Sequence, residues 1–304
     1  MMMAINIDGN RLIFEKESYA LENRLVKKLN RVCKGITQKH PKEDALILNE
    51  GKEGKGKTNT SIVEATYVKI ISKREVHLFF RLDDIIKYAQ ANKEKIIIWD
   101  EPSLDSLKID HLKKINHDLL RLFMTIRKKR HFFIINYTKF WKFPEYLVVD
   151  RADGMIHMHE HNIGRFFYIR KKNLENLWND KVKKNKRAYK KYRSFGGRMP
   201  DIMEKHFSEL GFFVNEIPNA TYDDYENEKD KAILSIGGEP EKTSKKEEII
   251  NYKLQLLRLR VSTLWKKLPI SQIELGQHLG IDTTRLREWA KIDLENNPGL
   301  SSSA

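Results

Sequence analysis

The feature that most constrains the fold is a loop rich in glycine and lysine. The sequence GKEGKGKT at residues 51–58 follows the apolar run ALILN, which has the composition of a buried strand. A helical pattern begins at Lys57 and continues to about Ser72. Glycines let backbone amides turn inward, and a helix start adds partial positive charge. The pattern predicts a strand, a loop that encloses an anion, and a helix, although an ordinary charged loop is the alternative.

The spacing of the loop matches the template G-x-x-x-x-G-K-[ST]. In that template the lysine, here Lys57, reaches the β and γ phosphates of a nucleotide, and the next hydroxyl, here Thr58, coordinates Mg²⁺. We therefore expect ATP and Mg²⁺ as ligands. The predicted nucleotide contacts are Gly51, Gly54, Lys55, Gly56, Lys57, Thr58 and Asn59.

Two further apolar runs end in polar residues that suit catalysis. Asp100 and Glu101 follow IIIW, and strand ends of this kind form the ligand-binding edge of an open α/β sheet. We expect Asp100 to join Thr58 as a metal ligand, and Glu101 to orient or deprotonate the attacking water. A helix cap is the alternative for the acidic pair. Asn136 follows FFII and is predicted to sense the γ-phosphate or the water, or else to start a loop.

The alternation of strand-like and helix-like segments predicts the fold class. Such a pattern at residues 44–170 is typical of an α/β protein with a mainly parallel sheet sandwiched by helices. The residues Asp8, Gly9 and Asn10 between short apolar alternations predict a hairpin. The predicted organisation is a hairpin and helix (1–43), an ATPase core (44–170), a basic helical extension (171–235), a linker (236–248) and a small all-α domain (249–304).

Composition narrows the partners and the compartment. Lys and Arg number 57 against 42 acidic residues, and the resulting charge of +15 favours polyanions. Cys33 is the single cysteine, which excludes an intrachain disulfide and a cysteine-ligated zinc site. Because the apolar runs are far shorter than the roughly 20 residues that cross a bilayer, we expect no transmembrane segment and a cytoplasmic protein.

Two segments predict contacts with DNA. The run KVKKNKRAYKKYR at 181–193 contains no acid, and its tyrosines suit stacking on bases or packing beneath the lysines; a solvated helix face is the alternative. The segment SQIELGQHLGIDTTRLREWAK has the layout of a helix-turn-helix, with an oligomerisation or lid domain that binds protein as the alternative. The predicted DNA contacts are Lys183, Lys184, Lys186, Arg187, Lys190, Lys191, Arg193, Thr283, Thr284, Arg285, Arg287 and Lys291.

The order of these elements resembles the additional-strand, catalytic-glutamate division of P-loop NTPases, because VHLFF adds a strand before the Asp100 strand. Within it, TIRKKRHFFIINYTKF and FPEYLVVDRADGMIHMH are similar to the FtsK/HerA family of DNA pumps, which includes viral packaging ATPases and zonula-occludens-toxin-like proteins. A departure is Asn136, where those pumps often carry glutamine. The resemblance implies a RecA-like fold and a homo-oligomeric, commonly hexameric, ring in which an arginine touches the neighbour's nucleotide. Arg127, Arg130 and Arg151 are the candidates.

Together these features predict an Mg²⁺-dependent ATPase that moves double-stranded DNA, as in genome packaging or transfer of a mobile element. Its predicted catalytic residues are Lys57, Glu101, Asn136, Arg127 and Arg151. The first alternative is a nucleotide-switched DNA-binding regulator or replication initiator that does not translocate. The second is a protein-remodelling ATPase whose C-terminal helices bind a protein partner.

Overall fold

The structure, a computed structural model, describes residues 5–37, 44–100, 109–159, 162–180 and 186–238, with the backbone alone at 109–114, 186–187 and 235–238. Glu101, most of the predicted linker and the predicted helix-turn-helix lie outside the described residues. The helices are α1 (Asn23–Thr37), α2 (Lys57–Ser72), α3 (Leu82–Ala91), α4 (Ile109–Thr125), α5 (Lys171–Asn179), α6 (Lys186–Tyr192), α7 (Met203–His206) and α8 (Tyr222–Gly238). The strands are β1 (Asn6–Asp8), β2 (Arg11–Ile13), β3 (Ser18–Ala20), β4 (Ala45–Glu50), β5 (Val76–Phe79), β6 (Ile96–Asp100), β7 (Phe132–Tyr137), β8 (Gly154–Met158), β9 (Arg165–Arg170), β10 (Phe195–Arg198) and β11 (Phe213–Val214).

The main sheet is mixed and mostly parallel, as the alternating pattern predicted. Among the described residues its order is β10-β9-β8-β4-β7-β6-β5-β11. The strands from β8 to β11 in this order pair in parallel, whereas β9 pairs antiparallel with both β8 and β10. Because β7 lies between β4 and β6, the strand that ends near Asn136 separates the glycine-loop strand from the Asp100 strand.

Helices cover both faces of this sheet, which explains why its central strands are continuous apolar runs. Every residue of β4, β6 and β7 is buried. Successive residues of β4 alternate between two hydrophobic clusters: Ala45 and Ile47 pack with α1 and α2, and Leu46 and Leu48 pack with α3 to α6. The predicted α/β layering is thus confirmed for the described residues. No helix in those same residues is both long and apolar enough to cross a membrane.

The N-terminal hairpin is confirmed as well. β1 and β2 pair antiparallel through Asp8 and Arg11, and Gly9 takes the positive φ of 56° that the tight turn requires. β3 extends the hairpin to a separate three-stranded sheet, an addition that the sequence analysis did not anticipate.

Two strands of the main sheet come from the segment after residue 170. β10 forms one edge of the sheet and β11 the other. The described residues of this segment belong to the compact unit that ends at Gly237. The apolar signal is weak at these edges because β10 contains two glycines and β11 has two residues.

Candidate active site

The glycine loop connects β4 to α2 at the carboxyl edge of the sheet. Gly54 and Gly56 adopt positive φ angles of 68° and 89°, and Gly56 is the N-cap residue of α2. A Cβ atom on Gly51 would stand 2.8 Å from Cβ of Met158, so this position leaves no room for a side chain. The loop is therefore a curled backbone segment at the start of a helix, which is the geometry that binds anionic oxygens.

Lys57 turns back toward this loop. Its ammonium donates hydrogen bonds to the carbonyl oxygens of Gly51 at 2.8 Å and Lys52 at 3.0 Å. Burial lowers the pKa of Lys57, and the charges of Asp100, Glu50 and Glu53 act in the opposite direction. The ammonium group that the template predicts to contact phosphate, that of Lys57, thus lies inside the glycine loop.

Thr58 and Asp100 meet across the gap between α2 and β6. The Thr58 hydroxyl lies 3.1 Å from Oδ1 and 3.0 Å from Oδ2 of the Asp100 carboxylate, although the two residues are 42 positions apart. Asp100 is the last residue of β6 and is 6% exposed. A hydroxyl and a carboxylate side by side are hard oxygen ligands, and Mg²⁺ usually takes one or two protein oxygens and completes its shell with water and substrate phosphates. The pair therefore fits Mg²⁺.

Asn136 is held inside β7 rather than at the start of a loop. It pairs with Asp100 in the register of β6 and β7. Its Nδ2 atom donates a 2.7 Å hydrogen bond to Oδ1 of Asp100, and its Oδ1 atom accepts from the Ser61 hydroxyl. In this structure the amide holds the Asp100 carboxylate in place.

The polar chain continues under α2 to a buried acid. Asn49 donates through Nδ2 to Ser61 at 3.2 Å and to Oε2 of Glu64 at 2.9 Å. Glu64 is completely buried, and this burial raises its pKa to about 8, against the effect of the Asn49 hydrogen bond. Because Ser61 also bonds to Asn136, a continuous set of side-chain contacts runs from Glu64 to Asp100.

The remaining predicted nucleotide contacts differ in what they touch. Lys55 is partly exposed in the loop. The Asn59 side chain is engaged elsewhere: Nδ2 donates to the carbonyl of Pro200 at 2.7 Å, and Oδ1 accepts from the amide of Ile202 at 3.1 Å. Asn59 thus joins α2 to the segment before α7.

The predicted arginines lie in three environments. Arg151, one of the candidates for the arginine that touches a neighbour's nucleotide, is buried and forms an ion pair with Asp44. Arg130 pairs with Glu94 beside the amino end of β7. Arg127 lies in a short 3₁₀ turn and donates a 3.4 Å hydrogen bond to the Tyr146 hydroxyl.

Part of the predicted DNA-binding segment forms α6. Lys190, Lys191 and Arg193 are exposed, and Lys191 pairs with Asp180 at 3.3 Å. Tyr189 is buried, so its ring is not available for stacking on a base. Lys183, Lys184, Thr283, Thr284, Arg285, Arg287 and Lys291 lie outside the described residues, as do the side chains of Lys186 and Arg187.

Sequence reasoning missed a cluster next to the loop. Glu50, the residue before Gly51, accepts a 3.1 Å hydrogen bond from the Tyr189 hydroxyl and pairs with Nδ1 of His157. The rings of His157 and Tyr189 stack with centroids 3.7 Å apart. The one available signal was the placement of His157 between apolar residues of β8, and it does not reveal the partners.

Tyr225 of α8 was also missed. Its hydroxyl donates a 2.7 Å hydrogen bond to Oδ2 of Asp100 from a fully buried position. The acidic composition around it gave no indication of this contact. Among the described residues no group of three or more His, Cys, Asp or Glu side chains could hold a metal ion by itself.

No protein-family model matches this chain, and no curated protein is significantly similar to it. Among solved structures the chain is similar to a point mutant of RuvB from Thermotoga maritima. The sequences are 12% identical, the match covers 89% of this chain and 86% of that chain, and the TM-score is 0.30. At so low a TM-score the similarity supports no conclusion about fold or function.

Proposed function

We propose that this chain is a P-loop ATPase that hydrolyses the γ-phosphate bond of ATP with Mg²⁺ and uses the energy to move double-stranded DNA. One observation carries the proposal: the Thr58 hydroxyl lies within 3.1 Å of the Asp100 carboxylate, beside a loop whose glycines curl the backbone. The glycine loop with Thr58 and the strand that ends at Asp100 are 42 positions apart and must fold together to produce this arrangement, so an accidental match of the loop template does not account for it.

The chain's own residues divide the work of hydrolysis. Backbone amides of residues 54–58 bind the phosphates, and Lys57 exchanges its carbonyl partners for phosphate oxygens. Thr58 and Asp100 would hold Mg²⁺, which would supply positive charge against the phosphoryl oxygens. Asn136 fixes the Asp100 carboxylate, and Glu101, the next residue in sequence, orients or deprotonates the attacking water.

The strand order supports assignment to the additional-strand division suggested by the sequence. β7 separates β4 from β6, and β5 continues the parallel sheet beyond β6. All four strands end at the edge where the loop, Asp100 and Asn136 lie, which is where ligands bind in open α/β sheets.

A basic face on the described part of the chain supports binding to DNA. We define it as Arg165, Lys190, Lys191, Arg193 and Arg198, all of which are exposed. Arg165 and Phe167 lie on the same side of β9, and Phe167 packs in the hydrophobic cluster that also contains Tyr189 of α6. The Arg193 guanidinium lies 5.2 Å from the centre of the Phe167 ring, which connects the strand part of the face to the segment after α6.

Two members of the basic face repel each other. Arg165 and Arg198 are direct partners in the antiparallel register of β9 and β10. Like charges directly opposite on neighbouring strands are destabilising. A phosphodiester backbone relieves this repulsion and releases counterions from the nucleic acid. The two arginines therefore support a polyanionic partner.

An oligomeric ring, a cytoplasmic location and a DNA-binding C-terminal domain belong to the same proposal. Arg127 remains the strongest candidate for the arginine supplied to a neighbouring subunit, because Arg151 is buried in an ion pair. Such a cation stabilises the charge on the transferring phosphoryl group. The particle mass, measured with and without nucleotide, tests the ring.

The central experiment measures ATP hydrolysis by the full chain with and without duplex DNA. Loss of a metal ligand removes several kcal/mol of transition-state stabilisation, so we expect Thr58→Ala to lower kcat by roughly a hundredfold or more. Glu101→Gln should have a comparable effect. Thr125→Ala, which changes an exposed threonine on α4, is the matched control and should behave as the native protein.

The outcomes separate the candidate functions. DNA-stimulated hydrolysis with displacement of a protein roadblock from DNA supports a motor. ATP-dependent DNA binding without displacement indicates the nucleotide-switched regulator, and stimulation by protein alone indicates the remodelling ATPase. Native hydrolysis by Thr58→Ala would overturn the proposed site.

A further inference from the structure

The helix α8 contributes one side chain to the candidate active site. Tyr225 reaches Asp100 from 125 positions away in sequence and donates a 2.7 Å hydrogen bond to Oδ2. Its ring contacts those of Phe80 and Phe207, with ring centroids 5.5 Å away in each case. Because the side chain is fully buried against these rings, the position of its hydroxyl group is fixed.

The Asp100 carboxylate is held by donors from three different elements. Thr58 of α2 donates to the carboxylate, Asn136 of β7 donates to Oδ1, and Tyr225 of α8 donates to Oδ2. The orientation of the carboxylate is therefore fixed by contacts from three parts of the chain that meet only in the folded protein.

α8 does not depend on Tyr225 for its start. Oδ2 of Asp224 accepts a 2.8 Å hydrogen bond from the Thr221 amide, and the Asp224 amide donates to the Thr221 hydroxyl at 3.2 Å. This reciprocal cap fixes the first turn of the helix. The Tyr225 hydroxyl is thus free for a role at the site, and its removal should leave the helix in place.

We infer that Tyr225 is a positioning residue that orients the Asp100 carboxylate for Mg²⁺, which makes α8 a working part of the nucleotide site. The inference rests on the proposed function, since it requires a metal-nucleotide complex at Asp100. Hydrogen-bond partners of metal ligands commonly contribute 10–100-fold, in order of magnitude, to metal affinity. Lys229, one turn further along α8, lies 5.3 Å from the centre of the Tyr225 ring, so a cation lies on the same side of the helix as Tyr225.

The test compares Tyr225→Phe with Tyr222→Phe. Both variants lose one hydroxyl from the same helix, but Tyr222 is partly exposed and its hydroxyl bonds to Glu226. Binding of a fluorescent ADP analogue is measured in EDTA and over a MgCl2 titration. For Tyr225→Phe we expect the half-saturating Mg²⁺ concentration to rise about tenfold, with unchanged affinity in EDTA. Tyr222→Phe should match the native protein.

A second measurement distinguishes positioning from packing. Urea unfolding without nucleotide or metal reports the structural contribution of the Tyr225 hydroxyl, and a purely structural role would change this stability and leave the Mg²⁺ dependence native. A native Mg²⁺ dependence in Tyr225→Phe would therefore overturn the inference alone. If the native protein binds the ADP analogue no more tightly with Mg²⁺ than in EDTA, the proposed function fails, and the inference fails with it.

Discussion

Glu64 is a fully buried carboxyl group whose environment makes stability depend on pH. Its pKa rises from 4.5 to about 8 because burial disfavours the charged form. The folded protein therefore holds a proton that the unfolded chain has released, and stability falls as pH rises from 4.5 toward 8. The opposite case is His77, whose pKa burial lowers from 6.5 to about 4. Its contribution to the stability of the folded state is present above pH 6.5 and is lost as the pH falls toward 4. Above pH 6.5 the Glu64 effect can be measured without that of His77.

We predict that the free energy of unfolding declines by about 2 kcal/mol between pH 6.5 and 8, at about 1.4 kcal/mol per pH unit. Glu64→Gln removes the ionisable group and should abolish this decline. Glu216→Gln changes an exposed acid and should retain it. Urea unfolding at several pH values makes the comparison. An equal decline in Glu64→Gln would show that another group controls stability in this range.

The sequence predicted those residues of the candidate site whose positions depend on local order. Lys57 and Thr58 follow from the loop template, and Asp100 and Asn136 follow from their positions at strand ends. Tyr225 could not be predicted, because its role depends on a contact with Asp100 that spans 125 positions. Glu50 could not be predicted for the same reason, because its partner Tyr189 belongs to α6, 139 positions away.

At the level of elements, α6 is attached to the glycine-loop strand by Tyr189. The Tyr189 hydroxyl bonds to Glu50 of β4 at 3.1 Å, and its ring stacks on His157 of β8. α6 is a helix of seven residues and carries Lys190 and Lys191 of the basic face. A helix this short is not stable alone in water, so its position depends on such tertiary contacts.

We predict that Tyr189→Phe lowers the free energy of unfolding by roughly 1–3 kcal/mol, because the hydroxyl donates to a buried carboxylate that is left short of a partner. Amides of α6 should also exchange hydrogen faster. Tyr192→Phe is the control on the same helix: its hydroxyl donates to Asp180 at 3.0 Å from a partly exposed position, and its loss should cost less than about 1 kcal/mol. Equal effects of the two variants would contradict an anchoring role for Tyr189.

Elements were predictable to the extent that burial on both faces leaves an apolar run. β4, β6 and β7 are such runs, and α2 begins at the predicted Lys57. The edge strands β10 and β11 were not predicted, because their composition is not typical of strands. They are strands because they form hydrogen bonds to β9 and β5. Both edge strands of the sheet therefore come from the segment for which the sequence predicted a basic helical extension.

On the scale of the whole molecule, a charge of +15 favours any polyanion, and the arrangement of the charge decides where the polyanion binds. The basic face combines residues from β9, β10, α6 and the segment after α6, so charge that is dispersed in sequence is collected on one side of the sheet. Arg165 and Arg198 are the best members to test, because they are direct partners in the register of β9 and β10.

We predict that the double variant Arg165→Gln, Arg198→Gln binds duplex DNA more weakly and with a shallower salt dependence. Each lost phosphate contact reduces the slope of log K against log salt concentration by about 0.9, so two contacts reduce it by about 2. The matched control is Arg11→Gln, Arg31→Gln, which removes the same charge from exposed positions on β2 and α1. Fluorescence anisotropy over a series of salt concentrations measures both slopes. The control should bind DNA somewhat more weakly, because the lower net charge reduces long-range attraction. It should keep the native slope, because the slope depends on the number of phosphate contacts and these are unchanged. Equal slopes for the two double variants would mean that DNA does not contact this face.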